Sequence, residues 1–315
     1  MSSPNQTATS GLRHTFHPAT PGDAQAIAGL RAMVEPMRGK LSGAAARPAY
    51  DGIMARVVCP EGVTFEEGVV GTVPGWWVRP ANAQPDVALV HFHGGWFNFG
   101  SAFAFQNLVA HIAVAAGAAA FVPEYRLAPE NPFPAAPDDA LACYIGLVGL
   151  GFRRIALVGD SAGGALALVT LATAHALAGV PEPVAAVALS PVTDLTFAGE
   201  SWTTKSDVDP YFTLPQVHVQ ADGYLAGHDP LDPRASPLFG DLSGLPPIRI
   251  HVGTEEMLFD DSNRYAERAG EAGVEVELHV WEGMPHGFLS GAGRLAAAAG
   301  ALDSIGHFLR DCLTA

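Results

Sequence analysis

The sequence predicts an α/β fold: a mostly parallel sheet of about eight strands, covered by helices on both faces. Three observations lead there. From residue 87 onward, short apolar runs alternate with longer Ala- and Leu-rich stretches. Such alternation is the pattern of parallel strands joined by crossover helices. The earlier runs, Val63-Thr64-Phe65, Val69-Val70 and Gly75–Pro80, follow one another without helices, which implies an antiparallel edge. Finally, Gly159-Asp160-Ser161-Ala162-Gly163-Gly164 joins the apolar run Ile155–Val158 to a helical pattern opening at Ala165. A Ser on a Gly-flanked turn between strand and helix is a nucleophile elbow, G-x-S-x-G.

Taken in order, residues 1–10 are expected to be disordered. Residues 21–58 carry a helical pattern, with Ala24, Ile27, Leu30, Met33 and Val34 mostly three or four apart. Pro48 is expected to interrupt it near the end. These helices precede every predicted strand, so they must pack on or beside a sheet formed later. Val87–Phe92 reads as a strand running into His93-Gly94-Gly95. Helices follow at Phe103–Ala116, Ala135–Leu147 and Ala165–Leu177, with strands at Ala118–Val122, Ile155–Val158 and Val184–Leu189. Ile248–Val252 and Val274–Val280 are the last strands, accompanied by helices at Phe259–Ala272 and Ala292–Leu309.

Asp194–Leu245 breaks this rhythm. It is rich in Pro, Asp and aromatic residues and has no clear strand. Long insertions of this kind are usually lids or binding loops. Residues 200–228 read as helices that join the N-terminal ones in a cap. The expected division is therefore an N-terminal helical cap portion, 1–58, and an α/β domain, 59–315, with a cap insertion around 197–228.

Composition excludes several classes. With 17 basic and 32 acidic residues the formal charge is −15, which argues against nucleic acid and anionic membrane as partners. Cys59, Cys143 and Cys312 are odd in number and widely spaced, so neither a disulfide framework nor a zinc cluster is implied. The first ten residues lack an apolar signal core. The longest apolar stretch, Leu108–Val122, is broken by His111 and Gly117 and is too short to span a bilayer. A cytoplasmic protein is expected.

An elbow serine needs a base that takes its proton and later returns one to the leaving group. Among twelve histidines, His286 stands out. It lies in Trp281-Glu282-Gly283-Met284-Pro285-His286-Gly287-Phe288, a Gly-flanked loop just past the last strand. A carboxylate must orient the imidazole and should follow a strand between the Ser and the His. The stretch after Val252 offers Glu255, Glu256, Asp260 and Asp261, and spacing alone does not choose among them. The oxyanion of a tetrahedral intermediate needs N–H donors. Ala162 follows the nucleophile, and Gly94 and Gly95 lie in the loop after an earlier strand. His91 and His93 could be metal ligands, but the glycines that follow favour the oxyanion-loop reading, and no metal site is expected.

Together, HFHGGW at 91–96, PEYRLAPENPFPAAPDD at 123–139, GDSAGG at 159–164, SPVTDLT at 190–196, SPLFGDLSGLPP at 236–247 and MPHGF at 284–288 carry a resemblance. Over roughly residues 65–310 the chain resembles the hormone-sensitive-lipase-like (bacterial type IV) esterases of the α/β-hydrolase superfamily. The resemblance implies the α/β-hydrolase fold with a helical cap. It makes Ser161 the nucleophile and His286 the base, and aligning Tyr265-Ala266 puts Glu256 at the acid position. The family more often has Asp there, and Glu255 stays open as the alternative. Arg126 and Glu130 are expected to be structural. The family's third loop glycine is Trp96 here, so the indole is expected to wall the substrate pocket, with Trp202 and Phe212 from the insertion.

The implied activity is hydrolysis of short- to medium-chain acyl esters by a serine carboxylesterase that needs no cofactor. The alternatives are lactone or amide hydrolysis, acyl transfer, or a non-catalytic receptor for a small ligand. The partner is a small ester substrate. The family often forms homodimers through its last strand, here near Val274–Val280.

Overall fold

A computed structural model describes residues 11–41 and 43–314. The disorder expected for residues 1–10 lies outside the described residues. Nine strands form one sheet among the described residues: β1 Leu12–His17, β2 Val63–Val70, β3 Val73–Pro80, β4 Val87–Phe92, β5 Ala119–Pro123, β6 Arg154–Asp160, β7 Ala185–Leu189, β8 Ile248–Gly253 and β9 Val276–Trp281. Their order is β1-β9-β8-β7-β6-β4-β5-β3-β2. β2 and β3 are antiparallel, as are β3 and β5; every other neighbour pair is parallel. The antiparallel edge is where the helix-free early strands place it.

The central strands form because their apolar runs are continuous. All six residues of β4 are buried. So are all five of β5 and of β7. Both faces are covered. Helices α3 (Ala102–Ala116) and α9 (Ala296–Thr314) share one core layer. Helices α4 (Ala135–Gly149), α5 (Ala162–His175) and α8 (Phe259–Glu271) share the other. Among the described residues, no helix is long and apolar enough to cross a membrane.

The remaining helices are α1 (Pro21–Val34), α2 (Arg47–Met54), α6 (Ser201–Thr204) and α7 (Leu214–Leu225). Polar ties join the first pair to the second. Arg31 donates to Val208 O, Arg38 to Ser206 O, and Gln216 Nε2 to Leu41 O at 2.6 Å. Arg47 reaches Asn98 O and Ala128 O, both at 2.8 Å, and pairs with Glu130 at 2.6 Å. Arg126 instead chelates Asp139, so both charged residues of the YRLAPE stretch are held by ion pairs.

Two expectations are corrected. Pro48 does not interrupt a helix; it sits in the first turn of α2. A proline at that position forgoes an N–H that has no intrahelical acceptor anyway. The N-terminal helices also do not precede every strand, because β1 comes first and pairs in parallel with β9. β1 shows no apolar alternation, since only Leu12, Thr15 and His17 are partly covered. Its hold on the sheet is local chemistry. Thr15 Oγ1 donates to Glu277 at 3.0 Å, and His17 Nε2 lies 2.9 Å from His279 Nδ1. The His17 ring stacks on Trp281 with centroids 3.7 Å apart, and His279 stacks on His251 at 4.5 Å. β1 also covers the far edge of β9.

Burial holds His279 neutral down to about pH 4 and keeps His251 well below the ordinary imidazole range. His91 and His93 are held down to about 3 and 4 in the same way. An unfolded imidazole binds a proton below about pH 6.5. At these four histidines the unfolded chain carries more protons between that pH and the native values, so their contribution to stability falls on acidification and outweighs the opposite effect of the two raised carboxyls, Asp160 and Asp261. Melting curves should show Tm dropping continuously from about pH 6.5 to 4, with a shallower slope in His279→Asn. A Tm independent of pH across that window contradicts this account.

Candidate active site

Ser161 stands between β6 and α5 at φ 58°, ψ −120°, a conformation that L side chains rarely adopt. The turn is tight enough to exclude neighbouring side chains. A Cβ at Gly159 would lie 2.1 Å from Gly163 O, and one at Gly163 would lie 1.9 Å from Phe92 O. Ser161 N–H donates to Leu189 O at 2.8 Å, and the Ser161 carbonyl accepts the Ala165 N–H of the first helical turn at 3.1 Å. The side chain is thus projected by its backbone rather than by packing, at the carboxyl end of the sheet.

His286 follows β9 on the expected loop. Its Nδ1 lies 2.8 Å from Glu256 Oε2. Glu256 is fully buried, and its other oxygen accepts from Ser190 Oγ at 2.8 Å and Gly253 N–H at 2.5 Å. Both carboxylate oxygens are therefore committed, which fixes the carboxylate plane against the imidazole. Burial on its own would lower the His286 pKa. The hydrogen bond and charge of Glu256, with the charges of Asp209 and Asp160, outweigh it and raise the pKa. The structure brings Glu256, and not Glu255, to the imidazole: Glu255 pairs with Arg31. Asp260 accepts the Ser201 N–H at 2.8 Å. Asp261 accepts the N–H groups of Thr193 and Asp194 and the Trp202 indole, and burial raises its pKa to about 8.

The loop after β4 passes beside the elbow. A Cβ at Gly94 would lie 2.4 Å from Asp160 Oδ2 and 3.2 Å from Ser161 Cβ, so only glycine fits. The Gly94 N–H faces the Asp160 carboxylate and favours its ionised form, although burial raises the Asp160 pKa to about 7. His93 supports the loop from beneath. Its ring stacks on Tyr125 at 4.3 Å, and Tyr125 Oη donates to His93 O at 2.8 Å. Its Nδ1 is 2.9 Å from Gly94 O and must carry the proton, since a carbonyl only accepts.

Trp96 is held at φ 55°, with Phe97 at 59°. Its indole is 4% exposed. It meets Phe212 edge-on at 5.8 Å, Trp202 at 6.0 Å and Phe197 at 6.5 Å between centroids. Phe212 in turn lies 5.0 Å from the His286 ring. Trp202 sits 1% exposed behind this layer with its Nε1 on Asp261. Phe197 also lines a cleft of about 520 Å³ with Leu195, His218, Ala221 and Leu225. Sequence reasoning missed Ser190 and Asp209. Ser190 opens the SPVTDLT stretch, which was visible. Asp209 had no local signal, because its partners lie in other segments.

The family of the alpha/beta hydrolase fold matches residues 89–290. The chain is 42% identical over 219 residues to an acetyl-hydrolase of Streptomyces hygroscopicus, covering 69% of this chain and 73% of that protein. It is 32% identical over 235 residues to an ethyl acetate hydrolase of Pseudomonas putida, covering 69% and 72%. Among solved structures, an esterase of the bacterial hormone-sensitive lipase family superposes with a TM-score of 0.87 at 36% identity, covering 94% of this chain and 99% of that one. The fold and these matches make the chain an α/β-hydrolase. Within that class it belongs to the hormone-sensitive-lipase-like esterases and is a carboxylic ester hydrolase.

Proposed function

We propose that the protein is a serine carboxylesterase that hydrolyses short- to medium-chain acyl esters through an acyl-enzyme. Ser161 Oγ attacks the ester carbonyl while His286 Nε2 takes its proton. The tetrahedral intermediate collapses, and His286 protonates the departing alcohol. Water then repeats the sequence on the acyl-enzyme, so ester and water become acid and alcohol with atoms balanced. Glu256 holds His286 in the tautomer with Nδ1 protonated and stabilises the imidazolium. The backbone N–H groups of Gly94, Gly95 and Ala162 are the donors for the oxyanion, and the absent side chain at Gly94 lets its loop approach the elbow. The observation that carries this reading is the buried Glu256–His286 pair at 2.8 Å, together with a strained elbow serine whose neighbour Asp160 acts electrostatically on His286. A phosphonate ester tests it: stoichiometric labelling should fall on the peptide bearing Ser161 and abolish hydrolysis. Labelling elsewhere overturns the assignment.

The helices at residues 21–54 and 201–225 act as a cap, and their aromatics set the acyl size. Trp96 stands between Phe212, which faces His286, and Phe197, which faces the cleft. Trp96→Gly should open a route from the serine into that cleft. The ratio of kcat/KM for p-nitrophenyl octanoate to that for acetate should then rise about tenfold or more. An unchanged chain-length profile contradicts Trp96 as the wall.

A further inference from the structure

Asp209 lies on the link between α6 and α7 and is fully buried. Its Oδ1 accepts the N–H groups of Tyr211 at 2.9 Å and Phe212 at 3.0 Å. Its Oδ2 accepts the N–H of Met257 at 3.0 Å. Phe212 is the ring over His286, and Met257 is the residue after Glu256. One carboxylate thus grips both the segment that covers the imidazole and the segment that carries its acid.

We propose that Asp209 is a positioning residue for His286, locking Phe212 and the Glu256 loop into one unit and adding a second negative charge behind the imidazole. This rests on the reading of Ser161, Glu256 and His286 as an acyl-transfer triad. The chemistry of the site calls for a carboxylate. An Asn would offer one acceptor oxygen and turn an NH2 group toward an N–H it cannot satisfy. The charged groups facing His286 are Glu256 from the loop after β8, Asp209 from the cap link and Asp160 from the end of β6. All three favour the imidazolium that forms when His286 takes the serine proton.

The test compares Asp209→Asn and Asp209→Glu with wild type. The readouts are kcat and KM for p-nitrophenyl acetate across about pH 5 to 9, and the downfield Nδ1–H resonance of His286 followed by NMR. Asp209→Asn should lower kcat about tenfold or more with KM within about twofold. Losing a negative charge lowers the imidazole pKa, so the acid limb and the NMR titration should both move to lower pH by about half a unit. Asp209→Glu keeps the charge but displaces it. Its acid limb should stay in place while kcat still falls. Loss of activity with an unmoved limb and an unmoved titration in Asp209→Asn overturns the proposal and leaves a turn-forming role alone. Should that variant not fold, Asp209→Glu decides, and wild-type kcat there overturns the proposal. The NMR titration does not depend on turnover. A shifted titration in a protein whose hydrolysis survives Ser161→Ala counts against the triad, not against Asp209.

Discussion

Ser161→Ala should reduce kcat for p-nitrophenyl acetate by about four to six orders of magnitude. The substitution removes one atom, Oγ, and leaves the Cβ that the elbow already accommodates. Gly95, Ala162 and the aromatic walls remain, so KM should stay within about threefold and a residual rate about a thousandfold over water should persist. Since the backbone at φ 58° is equally unfavourable for Ala, Tm should stay within about 2 °C of wild type. Ser161→Gly should be just as inactive yet melt higher, because glycine adopts that conformation without penalty. This pairing separates loss of the nucleophile from damage to the fold. Retained turnover in either variant would falsify Ser161 as the nucleophile.

The second large effect should fall on Glu256 and spare its neighbour. Glu256→Gln is expected to cost about three to four orders of magnitude in kcat, with the protein still folded. The amide takes the place of an acceptor with both oxygens engaged. It must put its NH2 toward either His286 Nδ1 or the Ser190 hydroxyl and Gly253 N–H. Facing His286, it favours the tautomer that carries its proton on Nε2, the atom that must accept from serine. The residual activity should persist to lower pH, because the charge that raises the imidazole pKa is gone. Glu255→Gln breaks only the pair with Arg31, more than a third exposed on the Glu side, and should change kcat less than about threefold. Steady-state kinetics of the two variants side by side decide between them, and a larger loss at Glu255 would reverse the assignment.

The parts of the fold legible in the sequence are those whose cause is local. β4, β5 and β7 are continuous apolar runs because they are covered on both faces, and nothing else explains such runs between helices. The elbow was legible because tight backbone contact leaves Gly as the only choice at 159 and 163. Edge strands were harder. Val63–Phe65 and Val69–Val70 read as two fragments but form one strand, since Glu66 and Glu67 sit exposed on the outermost strand β2. At the site, four carboxylates within seven residues could not be ranked by spacing. What separates them is the company each keeps: Arg31 for Glu255, Ser201 for Asp260, Trp202 for Asp261 and His286 for Glu256. Those partners lie 30 to 224 residues away, and only the folded chain brings them together.

The pairing of β1 with β9 sets an order of assembly. Among the described residues, Leu12–His17 is the first strand in chain order, and the only strand it pairs with, Val276–Trp281, is the last. Throughout synthesis of the intervening chain, that opening segment has no place in the sheet. The α/β core can condense around β4 to β8 in the meantime, because those strands and their crossover helices are contiguous. The N-terminal strand can therefore join the sheet only after β9 has been made. A nascent chain that stops short of Val276 has the elbow serine but neither His286 nor the strand that Leu12–His17 pairs with.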